Sequence, residues 1–477
     1  MSIADRKAVS LDPDDWADLR AQGHRMLDDM FDNLASLRDR PLWQAPSQEA
    51  RARYRDGPPR VPGRLEDAHA QFMADVATYG SGNRHPGFMG WVQGGGTAVG
   101  MLAEMLAGGL DANLGGRDHM PIEVERQVIS WMAEVFGFPA KASGIFLTGT
   151  SLANLCAVMI ARDRALGVEV RSEGVRDPGV AAYASNAVHA CIVRAMDMTG
   201  LGTNRLRLIE TDAKGRISLT ALEQAIASDR AAGVKPFMIV GSAGTVDIGA
   251  IDDLDALADI SAKVGATFHI DGALGALGVL AASVAPKLKG IERADSLALD
   301  FHKLGQAPYD AGLLLVRDAA AHKRTFSYGD APYLRHEERG LAGGAWWPCD
   351  FGPDLSRSFR ALKIWFMLKT YGLDALGGVI QRACDLAETL AERIEAAPEL
   401  ELLAPVGLNI VCFGYKGADN AAIAADLQEA GRVAPSATTL NGRSAIRAAI
   451  VNHRTQIGDI EALIEGVLQA GRARAAR

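Results

Sequence analysis

The feature of this 477-residue chain that most constrains its fold is an alternation of short apolar runs with helical patterns between residues 80 and 355. Apolar residues recur at helical spacing in stretches such as 151–164 and 253–264. Strands that alternate with helices favour a mainly parallel sheet with helices on both faces. The sequence therefore predicts an α/β fold whose mainly parallel sheet has seven strands, at Gly144–Leu147, Val180–Tyr183, Leu206–Ile209, Phe237–Gly241, Thr267–Ile270, Ser296–Leu299 and Leu313–Val316.

Two flanking segments complete the predicted organisation. Asp12-Pro13 is typical of a helix start, and apolar residues then recur at helical spacing from Met26 to Leu37. This helix has an apolar stripe to bury, either on its own core or on a second subunit. We predict an N-terminal helical segment at 1–79, a large α/β domain at 80–358, and a small C-terminal α+β domain at 359–477 with strands at 402–403, 410–413 and 445–450.

Charge and cysteine content exclude several classes of function. The chain has 50 Lys and Arg against 58 Asp and Glu, a net charge of −8, whereas nucleic-acid-binding domains are usually basic. Its five cysteines are scattered without CxxC spacing, which argues against a zinc site or a disulfide framework. The first residues hold no apolar signal-peptide core, and the longest uncharged stretch, 86–103, contains six glycines. We expect a cytoplasmic protein with no metal, no nucleic-acid partner and no membrane span.

The turn after the first predicted strand of the sheet, Thr148-Gly149-Thr150-Ser151, leads into a helix. A helix N-terminus offers unpaired N–H groups and the positive end of a dipole, and the hydroxyls add donors, so this turn suits a phosphate. It matches neither GxGxxG nor GxxxxGK[ST], so a dinucleotide or a Walker-type nucleotide is not indicated. Taken alone, the turn is better explained as a capped helix without a ligand.

Other polar residues also follow predicted strands. Asp271 precedes the small residues Gly272 and Ala273, which leaves room for a flat ligand, and Lys303 follows another strand, where burial would favour a nucleophilic free amine. Alone, these two are explained as a helix-capping aspartate and a surface lysine. Together with the phosphate turn they are the groups that hold pyridoxal phosphate (PLP). His189 is placed to stack on its ring, unless it is a structural loop histidine.

Lys303, preceded by His302, resembles the His-Lys pair of the group II PLP-dependent amino-acid decarboxylases, the aromatic-amino-acid and glutamate decarboxylase family. The similarity extends from about Leu11 to Ile464. It implies the type I, aspartate aminotransferase-like fold, and a homodimer with active sites shared between its subunits, in which the N-terminal helical segment packs on the partner subunit. The stretches that carry it, in family order, are His85–Phe88, Thr148–Asn154, Ser185–His189, Gly241–Leu254, His269–Ala273, Ala294–Lys303, Ser356–Lys363 and Arg447–Thr455.

The resemblance also implies a role for each matching residue. Lys303, Asp271 and His189 would be catalytic, with Lys303 forming an aldimine with PLP, Asp271 pairing with the pyridinium nitrogen and His189 stacking on the ring. The other residues implied in cofactor binding are Gly149, Thr150, Ser151, Thr245, Ala273 and His302. The residues implied in binding the amino-acid substrate are His85, Leu304 and Arg357.

The implied reaction is the decarboxylation of an L-amino acid to an amine, through the Lys303 aldimine and a quinonoid intermediate. In the aromatic-acid enzymes of this family a loop tyrosine delivers the proton, but the matching stretch here, 346–351, has no Tyr, and the nearest are Tyr328 and Tyr333. Leu304 stands where many members have Trp, which leaves an aromatic preference open. The alternatives are an aldolase-type carbon–carbon lyase, an oxygen-using decarboxylation-dependent deaminase, or a catalytically silent binding protein.

Overall fold

The computed structural model describes residues 10–176, 179–327, 335–344 and 346–475. The chain divides into two units, with the boundary between Gly82 and Asn83. Since the second unit continues to the C-terminal helix, the further division of this region at residue 359 stays a prediction.

The first unit is built from helices. They are α1 (Trp16–Ala35), α2 (Gln48–Arg53) and α3 (Leu65–Gln71), followed by a π-helical segment at Phe72–Ala77. The side chain of Asp15 accepts hydrogen bonds from the backbone N–H groups of Ala17 and Asp18, so Asp15, and not the predicted Asp12, caps α1. Arg53 donates from Nε to the buried Asp75 over 2.8 Å, which ties α2 to the π-helical segment.

A seven-stranded sheet forms the centre of the second unit and contains all seven strands predicted from the apolar runs. Its spatial order is β2-β8-β7-β6-β5-β3-β4. β8 is antiparallel to both of its neighbours, and the other pairs are parallel. The strands are β2 (Ser143–Leu147), β3 (Val180–Ser185), β4 (Leu206–Ile209), β5 (Lys235–Ser242), β6 (Thr267–Asp271), β7 (Ser296–Asp300) and β8 (Gly312–Val316).

Helices cover both faces of this sheet, as the alternation in the sequence predicts. The helices of the second unit are α4 (Ala98–Leu110), α5 (Met120–Val135), α6 (Thr150–Leu166), α7 (Val170–Glu173), α8 (Ala190–Met198), α9 (Leu219–Ala231), α10 (Leu254–Val264), α11 (Ala319–Phe326), α12 (Arg360–Ala396), α13 (Asn420–Ala430) and α14 (Ile457–Ala475), of which α13 and α14 pack on a second, smaller sheet. Alternate residues of β2 enter different cores: Ile145 and Leu147 belong to the buried cluster that includes residues of α6 and α8, and Phe146 belongs to the cluster that includes residues of α5 and α10. The strands are therefore buried on both faces, which accounts for their continuous apolar runs.

A second sheet lies in the C-terminal part of the second unit, in the order β1-β11-β12-β10-β9. Its strands are β1 (Phe88–Met89), β9 (Leu400–Leu402), β10 (Ile410–Tyr415), β11 (Ala434–Leu440) and β12 (Arg443–Ala449). Sequence analysis missed β1 and β11. β1 has only two residues, and the sequence of β11, APSATTL, contains no apolar run. α12 is broken at Gly372, where φ is +77°, a conformation that glycine adopts without a side-chain clash.

No helix among the residues described is both long enough and apolar enough to cross a membrane.

Candidate active site

A cavity of about 470 Å³ opens at the carboxyl ends of the strands of the large sheet. The structure brings together here all nine residues that the sequence predicted to bind the cofactor. They are Gly149, Thr150, Ser151, His189, Thr245, Asp271, Ala273, His302 and Lys303. Each follows or ends a strand, so the fold delivers them to one edge of the sheet from positions far apart in the chain.

One end of the cavity is the turn that leads from β2 into α6. Gly149 precedes the first residue of the helix, and a Cβ on Gly312 of the adjacent strand would clash with its backbone, so the two segments approach closely. The hydroxyl oxygen of Thr150 is buried, and it has no hydrogen-bond partner among the described residues. A helix N-terminus with an unused buried hydroxyl suits an anionic oxygen group such as a phosphate.

Asp271 ends β6 and is held by neighbouring donors. Asn154 donates from Nδ2 to Oδ2 over 3.0 Å, and the backbone N–H of Ala273 donates to Oδ1 over 3.2 Å. Oδ1 of Asn154 lies 2.8 Å from Nε2 of His269, and Nδ1 of His269 lies 2.8 Å from the hydroxyl of Ser296. Burial lowers the pKa of His269 to about 3, so the ring is neutral. The Ser296–His269–Asn154 chain therefore orients Asn154 to donate to Asp271.

The second polar cluster surrounds Lys303. Its Nζ lies 2.9 Å from Oδ2 of Asp300, the last residue of β7. His302 accepts the backbone N–H of Ala311 at Nδ1 over 3.1 Å. Burial lowers the pKa of His302, and since Nδ1 is an acceptor, the neutral ring carries its proton on Nε2. The ring also packs against Tyr309, with ring centroids 4.3 Å apart.

His189 and Thr245 complete the cavity wall on the β3 and β5 side. His189 caps α8, where its Nδ1 accepts the backbone N–H of Cys191 over 3.3 Å. The hydroxyl oxygen of Thr245 accepts the backbone N–H of Ala250 over 3.0 Å, which leaves the hydroxyl hydrogen free to be donated.

Comparison with known proteins agrees with this arrangement of groups. The model of the pyridoxal-dependent decarboxylase conserved domain matches residues 49–416. The chain belongs to the pyridoxal-dependent decarboxylase family. It is 34% identical over 388 residues to aromatic-L-amino-acid decarboxylase of Bacillus atrophaeus, covering 78% of each chain, and 29% identical over 389 residues to L-2,4-diaminobutyrate decarboxylase of Rhizobium meliloti (strain 1021), covering 78% of this chain and 75% of the relative.

The fold is shared with a solved crystal structure. The crystal structure of Oryza sativa TDC with PLP and tryptamine superimposes with a TM-score of 0.89 at 22% identity, covering 97% of this chain and 99% of the other. The type I α/β fold predicted from the resemblance is therefore confirmed. The cofactor of this decarboxylase family is PLP, and the unused Thr150 hydroxyl, the Asp271 carboxylate and the Lys303 amine fit its phosphate, ring nitrogen and aldehyde.

The three residues predicted to bind substrate do not line this cavity of the decarboxylase. His85 is buried, and its Nδ1 accepts the backbone N–H of Gly87 over 3.0 Å. Leu304 is buried in the core on one face of the large sheet. The guanidinium of Arg357 is fully buried and pairs with Glu125, with 2.6 Å between Nη2 and Oε1. The prediction for Arg357 is therefore corrected, because this side chain is used in a structural ion pair.

The Arg357–Glu125 pair also binds two backbone carbonyls. Arg357 donates to the carbonyl oxygens of Leu114 and Phe146, and the backbone N–H of Phe146 donates to Glu125 over 3.3 Å. We expect Arg357→Ala to lower the free energy of unfolding by about 3–5 kcal/mol, since it leaves the Glu125 charge buried without its partner. Arg126→Ala, which removes an exposed pair with Glu123 on the same helix as Glu125, should change it by about 0.5 kcal/mol or less. Denaturant unfolding measures both, and equal small effects would contradict this role.

The cavity is also lined by Asp300, Tyr309 and Arg447, which were not singled out from the sequence. Asp300 and Arg447 lay within stretches that carried the resemblance, but nothing in their spacing indicated where their side chains point. Arg447 lies on β12 of the second sheet, is buried, and donates from Nη1 to the hydroxyl of Ser436 over 3.2 Å. Its Nε and Nη2 have no partner within the described part of the chain. Tyr328 and Tyr333 lie outside the described residues.

Proposed function

We propose that this protein removes the α-carboxylate of an L-amino acid as carbon dioxide and leaves the corresponding amine. The observation that carries the proposal is the convergence of Thr150, Asp271 and Lys303 in one cavity of a chain that belongs to the pyridoxal-dependent decarboxylases. Bound PLP supplies an electron-poor ring that accepts the electron pair released with carbon dioxide. The similarities to decarboxylases do not favour the alternative carbon–carbon lyase or deaminase activities.

Different residues of the protein hold different parts of the cofactor. Thr150, Ser151 and His302 bind the phosphate, and Lys303 binds the aldehyde carbon. Asp271 keeps a proton on the ring nitrogen, because its carboxylate is held in place by Asn154. The neutral His269 supports this role through Asn154, because its Nε2 holds the side-chain oxygen of Asn154 while the Asn154 amide donates to Asp271. His189, Ala273 and Thr245 line the same cavity and would hold the ring.

Arg447 receives a carboxylate of the substrate. Its guanidinium is buried at the cavity wall, and two of its nitrogens have no partner among the residues described. Burial lowers the pKa of Arg447, because it is unfavourable to hold this cation out of water. A bound carboxylate would offset this unfavourable desolvation. The indole of Trp91 and the side chain of Val92 line the same cavity and provide apolar contact for the rest of the substrate.

We expect Arg447→Met to raise KM by roughly 30-fold or more with a smaller change in kcat. The reason is that the substrate carboxylate loses a buried cationic partner, and such a loss weakens binding by about 2 kcal/mol or more. Arg443→Met is the matched control, because Arg443 lies on the same strand and pairs with Glu401 at the surface. Steady-state kinetics on both variants measures the effect. An unchanged KM in Arg447→Met would show that the substrate carboxylate binds elsewhere.

The active protein is a homodimer with shared active sites. Support comes from the outer face of α4, on which the apolar side chains of Met105, Leu106 and Leu110 are exposed. The family resemblance implies a homodimer, and a second copy of this chain would cover this apolar face. The five free, buried cysteines are compatible with a reducing compartment, and we place the protein in the cytoplasm. Analytical ultracentrifugation of the holoenzyme tests the dimer.

The proposed function is tested by incubating the purified holoenzyme with a panel of L-amino acids while carbon dioxide, amine, aldehyde and hydrogen peroxide are followed separately. Carbon dioxide with amine supports the proposal and identifies the preferred side chain. Aldehyde without carbon dioxide would indicate carbon–carbon cleavage, and aldehyde with peroxide would indicate oxidative deamination. Either result would refute the proposal.

A further inference from the structure

A carboxylate lies at the same end of the cavity as the proposed phosphate site. The side chain of Asp300 is only 3% exposed. Its Oδ1 accepts the backbone N–H of Thr150, the first residue of α6, over 2.8 Å, and its Oδ2 lies 2.9 Å from Nζ of Lys303. A Cβ built on Gly149 would lie 3.5 Å from the same Oδ1. Asp300 therefore packs directly against the turn that precedes α6.

The carboxylate and a phosphate need the same donors. The first N–H of α6 is already taken by Asp300, while the Thr150 hydroxyl beside it is buried and has no partner among the described residues. A phosphate bound by that hydroxyl lies close to Asp300, and both groups are anions. In a buried site such a repulsion is weakly screened, so the negative charge of Asp300 opposes phosphate binding.

The groups that contact Asp300 do little to cancel its charge once the cofactor is bound. His302 has Nε2 3.6 Å from Oδ2, but its Nδ1 accepts the Ala311 N–H, so the ring has no site for a second proton and stays neutral. Burial raises the pKa of Tyr309 to about 12, so its phenol is also uncharged. Lys303 is the cation in direct contact, and its nitrogen is the group committed to the cofactor.

We infer that Asp300 weakens the hold of this enzyme on the phosphate of PLP and so keeps the cofactor exchangeable. The inference rests on the proposed function, which places the cofactor phosphate at the start of α6. An asparagine at position 300 has the same shape, accepts the same Thr150 N–H, and offers a phosphate an N–H donor instead of a negative charge. The fraction of the protein that carries PLP then depends on the concentration of free PLP, because bound and cofactor-free protein are in equilibrium.

The test measures the affinity of the apoenzyme for PLP and for pyridoxal, which lacks the phosphate, by absorbance and tryptophan fluorescence titration. Asp300→Asn also removes the partner of Lys303, but that change acts on both ligands, so the ratio of the two dissociation constants isolates the phosphate. We expect Asp300→Asn to favour PLP over pyridoxal by about tenfold or more relative to the wild type. Asp310→Asn is the control, because Asp310 is nearby in the chain but pairs with Arg360 and does not line the cavity.

Asp300→Ser provides a second, smaller variant that removes the same charge, in case the asparagine variant folds poorly. An unchanged PLP-to-pyridoxal ratio in the folded variant would overturn the inference, and so would a shift of equal size in Asp310→Asn. Both outcomes leave the proposed function intact, since PLP still binds. Failure of the wild-type apoenzyme to bind PLP would refute the proposed function instead.

Discussion

The Lys303→Ala variant is expected to lose the visible absorbance of the lysine-bound cofactor and to lose activity by roughly 10⁴-fold or more, since Lys303 is the amine that lies in the cavity within reach of a bound aldehyde. Absorbance spectra of the purified variant with added PLP and single-turnover kinetics measure the two effects. Lys289→Ala is the matched control, because Lys289 pairs with Asp255 at the surface and does not line the cavity.

Retention of the visible band by Lys303→Ala would contradict the cofactor assignment, because no other lysine of the described chain lines this cavity. A folded variant is shown by far-UV circular dichroism. The side chain of Lys303 is partly exposed and, among the residues described, pairs with Asp300, so its truncation removes few packing contacts. We therefore expect the apoprotein fold to persist.

The Asp271→Asn variant is expected to retain PLP and to lose turnover by about 10³-fold or more, because a neutral amide does not hold the ring nitrogen protonated. The amide has nearly the same shape and keeps contacts with Asn154 and Ala273, so the cofactor stays bound. Bound PLP is measured by absorbance, and turnover by release of carbon dioxide. Asp229→Asn controls for the loss of an aspartate charge, since Asp229 pairs with Arg207 outside the cavity.

Near-normal turnover in Asp271→Asn would show that this carboxylate has another role. Glutamate at the same position distinguishes charge from geometry. Asp271→Glu keeps the negative charge but displaces it. An intermediate rate would show that the charge itself contributes to turnover, whereas a rate as low as that of Asp271→Asn would show that the position of the carboxylate is also required.

The central sheet could be predicted from the sequence because its strands are buried on both faces and therefore read as apolar runs bounded by turns. Thr150, Asp271 and Lys303 could be found for a related reason: each stands at a strand end, and parallel strands bring their carboxyl ends to one edge. PLP was predicted from the combination of these three residues, and none of them alone indicated this cofactor.

The substrate side of the site could not be predicted in this way. Arg447 reaches the cavity from β12, a strand of the other sheet, so no local spacing connects it with Lys303. Arg357 was assigned to the substrate from its motif, but its partner Glu125 lies 232 residues away, and such a pairing leaves no periodic trace in the sequence. β11 was missed because its side chains alternate in exposure toward its end and form no apolar run.

The proposed decarboxylation is tested most directly by its stoichiometry. The preferred amino acid from the panel, labelled at the carboxyl carbon, is incubated with the holoenzyme, and labelled carbon dioxide and amine are quantified in the same reaction. We predict one amine for each carbon dioxide released, without aldehyde or peroxide. Carbon dioxide accompanied by aldehyde in place of amine, or product formed without carbon dioxide, would contradict the proposal.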